Sequence, residues 1–208
     1  PVAAMIGGSK VSTKIDVINS LLKKMDIIII GGAMANTFVA AKGLDVGTSL
    51  FEKECIDLAK ELIEKSQNND CNLILPTDFI VSKNLKKNAE YTTTNFDSMP
   101  HNMMALDIGP KSIELINKNI NNCKTILWNG PLGAFETYPF DKGTNKVASY
   151  VSSLTKQKKI LSVAGGGDTV SALNNAKVLN DFSYVSTAGG AFLEWLEGKV
   201  LPGIEPIS

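Results

Sequence analysis

The sequence contains no arginine, and all 21 of its basic residues are lysine. A guanidinium group grips a phosphate or carboxylate through two parallel hydrogen bonds, so phosphate binding here must rely on lysine, backbone N–H groups or a metal ion. Histidine is almost as scarce, since His101 is the only one and lies beside Pro100 in a polar stretch. We therefore do not expect a histidine-dependent catalytic triad, and we interpret His101 as a surface residue.

Net charge and long apolar runs are also missing. The 21 basic and 21 acidic residues give a formal net charge of zero, which argues against nucleic acid or a membrane surface as a partner. The longest apolar segments, such as Ile27–Ile30, are far too short to span a membrane. The cysteines, Cys55, Cys71 and Cys123, fit no zinc or redox spacing. They predict buried or incidental thiols of a reducing compartment, so we expect a cytoplasmic protein.

Short apolar runs alternate with segments of helical periodicity along the chain. This alternation predicts an α/β fold, a Rossmann-like three-layer sandwich with a mostly parallel sheet of about six strands and helices on both faces. We predict a first helix from Ser9 and an edge strand over Phe79–Val81. Lys83–Asn102 is the most polar region and predicts surface loop with a short strand near Tyr91–Thr94.

Glycine-bearing turns follow five of the predicted strands, and these turns are Gly7-Gly8, Gly31-Gly32, Asn129-Gly130, Gly165–Gly167 and Gly189-Gly190. In open α/β sheets, ligands bind outside the carboxyl ends of the strands. We therefore expect these turns to line one crevice.

The segment around Gly165–Gly167 carries the sharpest chemical signal. Glycines let a backbone approach a ligand closely, and the helix N-terminus that follows attracts phosphate. Asp168, in the first turn of that helix, can hold Mg²⁺ together with phosphate oxygens. The alternative is a tight turn in which Asp168 only caps the helix.

Two lysines, Lys10 and Lys14, lie four residues apart on one flank of the first predicted helix. Like charges at this spacing repel by roughly 0.2–0.5 kcal/mol, which a shared anion would offset. The alternative is a pair of solvated lysines. Neither the GxxxxGK[ST] nor the GxGxxG pattern is present, which excludes a P-loop enzyme and argues against a nicotinamide cofactor.

Seven segments, taken in order, closely resemble the C-terminal, nucleotide-binding half of phosphoglycerate kinase. They span almost the whole chain and are Gly7–Lys14, Ile29–Phe38, Leu106–Ser112, Trp128–Glu136, Phe140–Thr144, Gly165–Thr169 and Ser186–Ile204. The resemblance implies phosphoryl transfer between 1,3-bisphosphoglycerate and MgADP, a step of glycolysis, with 1–208 as the nucleotide domain of a two-domain kinase.

The resemblance also implies roles for individual residues. Asp168 would bind the magnesium of the nucleotide, and Lys10 and Lys14 would approach the phosphates and the group in transfer. Gly166 and Gly167 would act beside them. At the phosphates, the resemblance also implies contacts from Gly165, Thr169 and Asn129, with Pro131 nearby. The other implied contacts are Glu136 at the ribose, Gly31, Gly32 and Leu106 at the adenine, and Gly189 and Gly190 in the last turn.

Three alanines depart from the family pattern, which has glycine at Ala33, Ala105 and Ala188. Each adds a methyl group near the ligand path, and Ala105 bears most directly on adenine affinity. The arginine- and histidine-rich N-terminal domain that binds 3-phosphoglycerate in the family has no counterpart here. We therefore expect a monomeric half of a longer protein that binds ADP and ATP but is inactive alone. The alternative is a stand-alone nucleotide- or anion-binding module without catalysis.

Overall fold

The computed structural model describes residues 1–186 and 188–199, and its main sheet has six strands. Every neighbouring pair in this sheet is parallel. Its strands are β1 (Val2–Ile6), β2 (Ile27–Ile30), β3 (Asn72–Ile74), β7 (Thr125–Asn129), β8 (Leu161–Gly165) and β9 (Tyr184–Ser186), in the order β3-β2-β1-β7-β8-β9. The order reverses direction at β1, between β2 and β7, which is where such sheets leave a crevice.

A second sheet is separate from the first and was not expected. It contains three antiparallel strands in the order β5-β4-β6, which are β4 (Asp78–Ser82), β5 (Thr92–Asn95) and β6 (Met104–Ile108). The prediction of an edge strand over Phe79–Val81 was therefore wrong, because β4 is the central strand of this small sheet. Phe79 and Val81 are buried and pack with Val39, Val46 and Met99 in their own apolar cluster.

Helices cover both faces of the main sheet, which confirms the predicted three-layer α/β fold. One face carries α1 (Ile15–Leu21), α2 (Met34–Ala41), α3 (Ile56–Asn68) and α7 (Gly189–Leu196), and the other carries α4 (Pro110–Ile120), α5 (Lys142–Lys156) and α6 (Gly167–Asn175). Within residues 1–186 and 188–199, none of these helices has the length and hydrophobicity needed to cross a bilayer.

Side-chain alternation along the strands divides the core between the two faces. In β1, Ala3 and Met5 belong to one apolar cluster, whereas Ala4 and Ile6 belong to the other. This division follows from the period of two along a strand. Trp128 is fully buried, and its Nε1 donates a hydrogen bond to the Gly130 carbonyl at 2.7 Å. The indole N–H therefore has a hydrogen-bond partner inside the core.

The first helix begins at Ile15, so the predicted start at Ser9 was wrong. The Ser12 amide donates to Glu52 Oε2 at 3.0 Å, and the Ser12 hydroxyl donates to Glu52 Oε1 at 2.5 Å. The Glu52 carboxylate thus accepts hydrogen bonds from Ser12, which precedes the helix, and takes the place of carbonyl groups within a helix. Burial opposes ionisation of Glu52, but the Ser12 hydrogen bonds outweigh it and lower its pKa. Lys14 consequently stands at the N-cap position of α1.

The three cysteines are buried and the one histidine is exposed, as the sequence predicted. Cys55, Cys71 and Cys123 are free and buried, and burial raises the pKa of Cys71 to about 11. A thiol with so high a pKa is unreactive near neutral pH. His101 is exposed and lies 2.6 Å from Asp45 through Nδ1, away from the crevice described next.

Candidate functional site

The carboxyl ends of β1, β2, β7 and β8 meet at one edge of the main sheet, and their glycine turns are bonded to one another. Gly7 N–H donates to the Asn129 carbonyl at 2.9 Å, and Gly31 N–H donates to the Ile6 carbonyl at 2.9 Å. Gly32 N–H donates to the Leu132 carbonyl at 2.9 Å. The structure thus brings these turns to one edge, and Gly189 and Gly190 begin α7 just beyond β9.

Close backbone contact explains why glycine is required at this edge. A Cβ atom on Gly7 would overlap the Pro131 carbonyl, and one on Gly31 would overlap the Leu132 side chain. Gly166 has a φ of 98°, and a Cβ there would lie 2.8 Å from Asn129 Nδ2. A left-handed φ of this kind favours glycine because L residues are strained there.

A cleft of about 330 Å³ runs along this edge. Among the residues predicted to bind nucleotide, it is lined by Gly32, Leu106, Pro131, Glu136 and Asp168. Eight other predicted residues do not line it, and they are Lys10, Lys14, Gly31, Asn129, Gly165, Gly166, Gly167 and Thr169. The surroundings of Gly189 and Gly190 lie outside what the structure describes. Several of the eight residues form the layer directly behind the cleft.

One end of the cleft is apolar, which was not predicted from the sequence. Phe79 and Met104 reach it from the second sheet, and Leu50 and Leu85 stand at its rim. Leu50 and Leu85 are 61% and 50% exposed, so both are available to cover a flat apolar group. Periodicity could not have found this wall, because it predicts the individual strands and not their pairing in a separate sheet.

Two of the three alanines that depart from the family pattern, Ala33 and Ala105, fit without strain. Ala33 has a φ of −64° and lines the cleft, so its backbone needs no glycine. Ala105 also lines the cleft, and its N–H donates to Ser49 Oγ at 2.8 Å. The methyl groups of both residues therefore narrow the cleft without distorting the chain that carries them.

Asp168 defines the other end of the cleft. It is exposed in the first turn of α6, immediately after the Gly165–Gly167 turn. Free N–H groups and the partial positive charge of a helix N-terminus favour phosphate at this position. A carboxylate placed beside bound phosphate also suits Mg²⁺, which takes its remaining ligands from phosphate and water. Asp168 therefore fits the role of magnesium ligand.

A buried polar network lies directly behind Asp168. Lys14 Nζ donates to Asn129 Oδ1, and Asn129 Nδ2 donates to the Gly165 carbonyl at 2.7 Å. Gly130 N–H donates to Thr169 Oγ1 at 2.7 Å. Burial lowers the pKa of Lys14, and the nearby Asp168 carboxylate opposes this effect. The network joins the ends of β7 and β8 to α6 and sets the position of Lys14.

The two lysines are not equivalent in the structure. Lys14 is half-buried within the network, whereas Lys10 is exposed and lowers the pKa of Glu52 through its charge. Gly167 is exposed, and a Cβ there would meet no atom within 4 Å. Open space at Gly167 leaves room for a ligand to approach the backbone.

Asp107 is a buried carboxyl group at the cleft that sequence reasoning missed. It is 3% exposed, accepts hydrogen bonds from Gly143 N–H at 2.6 Å and Ile108 N–H at 2.9 Å, and faces Gly133. It thereby caps the first turn of α5, because the side chain of the N-cap residue Asp141 makes no capping hydrogen bond. Burial raises the pKa of Asp107 to about 8, although these hydrogen bonds favour the ionised form.

We predict that stability falls more steeply with rising pH in this protein than in the Asp107→Asn variant. An unfolded aspartate has a pKa of roughly 3.9, whereas folding raises that of Asp107 to about 8. Between these values the folded chain holds a proton that the unfolded chain lacks, so this contribution is complete below the lower value and disappears as pH rises towards the upper one. Urea unfolding at about pH 5 and about pH 8 measures the effect, and equal changes in the two proteins would contradict it.

Comparison with known proteins identifies close relatives. The family model described as phosphoglycerate kinase matches residues 1–199. The phosphoglycerate kinase of Methylorubrum extorquens strain PA1 is 54% identical over 207 residues, which cover 100% of this chain and 52% of the relative. That of Chelativorans sp. strain BNC1 is 52% identical over 204 residues, covering 98% of this chain and 51% of the relative.

Solved structures agree with these relatives. Phosphoglycerate kinase from Coxiella burnetii superposes with a TM-score of 0.94 at 44% identity, covering 99% of this chain and 52% of that one. The enzyme from Pyrococcus horikoshii superposes with a TM-score of 0.80 at 26% identity, covering 99% and 51%. The chain therefore spans about half the length of the relatives it matches.

Proposed function

This chain belongs to the phosphoglycerate kinase family, and we propose that it is the half of the kinase that binds MgADP and MgATP. The main support for this proposal is the cleft, which is apolar at one end and has Asp168 and the N-terminus of α6 at the other. A nucleoside diphosphate has the same polarity along its length, with a flat base at one end and charged phosphates at the other. The cleft therefore favours a nucleotide over a small inorganic anion.

The nucleotide lies with its base among Leu106, Ala105 and the apolar wall of the second sheet. Glu136 is exposed at the cleft, where its carboxylate can accept hydrogen bonds from the ribose hydroxyls. The phosphates reach the Gly165–Gly167 turn, whose backbone N–H groups donate to them. When bound, Mg²⁺ neutralises phosphate charge, and Asp168 is the side chain that holds it.

Phosphoryl transfer requires positioning and charge neutralisation more than covalent chemistry. Lys14 supplies a positive charge held by Asn129 behind Asp168, and Lys10 supplies a second one from the exposed segment before α1. We propose that both lysines stabilise the charge that develops on the group in transfer, while Gly166 and Gly167 let it approach the backbone. Without arginine, the chain has no other type of permanent cation for this task.

The complete kinase would transfer the phosphoryl group between 1,3-bisphosphoglycerate and ADP, as in glycolysis. The 3-phosphoglycerate site would belong to an N-terminal domain that this chain does not include. We further propose that the protein is a cytoplasmic monomer with no nucleic-acid or membrane partner. The second candidate, a nucleotide-binding module without catalysis, shares the same cleft and differs only in lacking a partner domain.

A crystal structure with MgADP tests the proposed pose. We expect the phosphates within hydrogen-bond distance of the Gly166–Asp168 backbone, and the adenine between Leu106 and the Leu50 and Leu85 side chains. Adenine in another cavity, or phosphates on Lys10 alone with no contact to α6, would contradict the proposed function. Crystals grown without nucleotide provide the control for ordered solvent in the cleft.

A further inference from the structure

A short segment between α2 and α3, residues 49–52, connects the apolar end of the cleft with the two lysines, and we call it the rim segment. Its first residue accepts a hydrogen bond from Ala105 N–H through the serine hydroxyl oxygen at 2.8 Å, and Leu50 lines the cleft. Its last residue, Glu52, is bonded to the chain that lies between the two lysines. The rim segment thus contacts both the wall proposed for the base and the part of the chain that carries the cations proposed for the phosphates.

Two buried polar residues of α2 hold the rim segment. Asn36 Nδ2 donates to the Leu50 carbonyl at 3.0 Å, and Glu52 N–H donates to Thr37 Oγ1 at 3.0 Å. Asn36 and Thr37 are both buried, so a broken bond would leave a polar group in the core without a partner. The backbone of Glu52 therefore has a fixed position, from which its side chain extends to Ser12.

The turn over residues 10–14, which begins and ends with a lysine, is held from outside as well as from within. Within it, Lys14 N–H donates to the Val11 carbonyl at 2.8 Å. From outside, Glu52 accepts from the Ser12 amide at 3.0 Å and from the Ser12 hydroxyl at 2.5 Å, across 40 residues of sequence. Ser12 lies midway between the two lysines, so the carboxylate fixes the part of the turn that determines where both lysine backbones lie.

Glu52 holds this turn without forming an ion pair with Lys10. Burial opposes ionisation of Glu52, whereas its hydrogen bonds from Ser12 and the charge of Lys10 lower its pKa. Both carboxylate oxygens accept from Ser12, and the ion pairs found among residues 1–186 and 188–199 do not include one between Glu52 and Lys10. The exposed Lys10 ammonium can therefore bind a phosphate without first breaking an ion pair with Glu52.

We propose that Glu52 is a positioning residue that holds the turn between Lys10 and Lys14, so that both ammonium groups remain within reach of the nucleotide phosphates while the base binds beside Leu50. This inference rests on the proposed function, and it adds a residue to which neither the sequence motifs nor the family resemblance gave a role. Because the rim segment also carries Leu50, it sets the distance between the base and the lysines.

Two substitutions separate positioning from charge, because both remove the carboxylate. Glu52→Ala leaves Ser12 without an acceptor, whereas the amide oxygen of Glu52→Gln still accepts one of its hydrogen bonds. Loss of a hydrogen bond to a charged group corresponds to a factor of roughly ten. Part of that loss falls on the turn itself, so calorimetry is expected to show MgADP binding weakened about fivefold in Glu52→Ala and at most about twofold in Glu52→Gln. Equal effects of the two substitutions, including no effect of either, would overturn the proposal.

Adenosine, which has the base and ribose without phosphate, distinguishes positioning of the lysines from damage to the cleft. Leu50 keeps its hydrogen bond from Asn36 in Glu52→Ala, so the affinity for adenosine is expected to be unchanged. A loss for adenosine as large as that for MgADP would indicate general distortion and overturn the proposal. The matched control is Glu61→Ala, since Glu61 is an exposed glutamate that pairs with Lys65 at 2.6 Å on α3, and it should leave both affinities unchanged.

A measurement without nucleotide distinguishes failure of this proposal from failure of the proposed function. Ser12 N–H donates directly to Glu52, so NMR should show faster hydrogen exchange at Ser12 in Glu52→Ala, while buried strand amides such as that of Ile29 exchange as before and report a folded chain. If Glu52→Ala does not fold, Glu52→Gln is measured instead, with a smaller acceleration expected. Unchanged exchange at Ser12 in a folded variant would overturn the proposal. Faster exchange in a chain that never binds MgADP would overturn the proposed function, and the positioning role of Glu52 with it.

Discussion

A coupled assay with MgATP and 3-phosphoglycerate is expected to record only background turnover with this chain alone. Under the proposed function the cleft is taken up by the nucleotide, and the sequence has no arginine to bind a second substrate that carries both a phosphate and a carboxylate. His101 cannot replace it, because it is exposed and already paired with Asp45 at 2.6 Å. The acceptor would therefore reach the nucleotide only by collision.

The size of this effect follows from positioning. Reacting atoms must be held roughly 3–3.5 Å apart, and good orientation corresponds to effective concentrations of about 10⁵–10⁸ M. In two-domain enzymes that alignment comes from closure of one domain on the other, which also excludes water. Residues 1–208 span about half the length of the relatives they match, and tested by themselves they are not expected to provide this closure. We therefore expect a loss of several orders of magnitude in turnover.

The turnover prediction has an internal control. The same sample should bind MgADP, which excludes misfolding as the cause of inactivity. Turnover that rises in proportion to chain concentration and disappears in the Asp168→Asn variant would contradict the half-enzyme proposal. Turnover that persists in Asp168→Asn would instead indicate a contaminating kinase.

Asp168→Asn is expected to weaken binding of MgADP by at least about tenfold and to change binding of metal-free ADP little. Two unit charges about 4 Å apart interact by roughly 4 kcal/mol at an effective dielectric constant of about 20, and Mg²⁺ carries two charges. Metal-free ADP lacks this attraction and is even repelled by the carboxylate, so its binding can improve slightly. Calorimetric titrations of both proteins with and without Mg²⁺ measure the difference.

Asp57→Asn is the matched control for this substitution. Asp57 is also an exposed aspartate in the first turn of a helix, but it pairs with Lys60 at 3.1 Å on α3. It should have no effect on MgADP affinity. If Asp168→Asn lowers ADP affinity equally with and without Mg²⁺, Asp168 only caps the helix, which was the alternative interpretation of the sequence.

The main sheet could be predicted from the sequence because its signals are local. Short apolar runs such as Ile27–Ile30 end at glycines, and parallel strands place those glycines at one edge. The pairing of the second sheet could not be predicted in the same way, although short strands were expected over Phe79–Val81 and near Tyr91–Thr94. Its strand β5 (Thr92–Asn95) is polar and mostly exposed, and it is stable only because β4 pairs with it across a long connection.

In the candidate site, too, features built from residues close in the sequence were predicted, and those that join distant residues were not. Asp168 and its glycine turn were found because they lie within a few residues of one another in the sequence. Asp107 was missed because its partner Gly143 lies 36 residues away, and the Lys14–Asn129 contact joins residues separated by 115 positions. The start of α1 was mistaken for the same reason, since Glu52 binds Ser12 from 40 residues away.

Calorimetric titration of this chain with MgADP tests the central claim most directly. All of the proposed nucleotide contacts lie within the chain, so we predict saturable binding to one site per chain. Removal of Mg²⁺ should weaken that binding, and Asp168→Asn should abolish the advantage that the metal gives. The absence of saturable heat from a folded sample, or binding equally strong with inorganic phosphate, would contradict the assignment of this chain as the nucleotide half of a kinase.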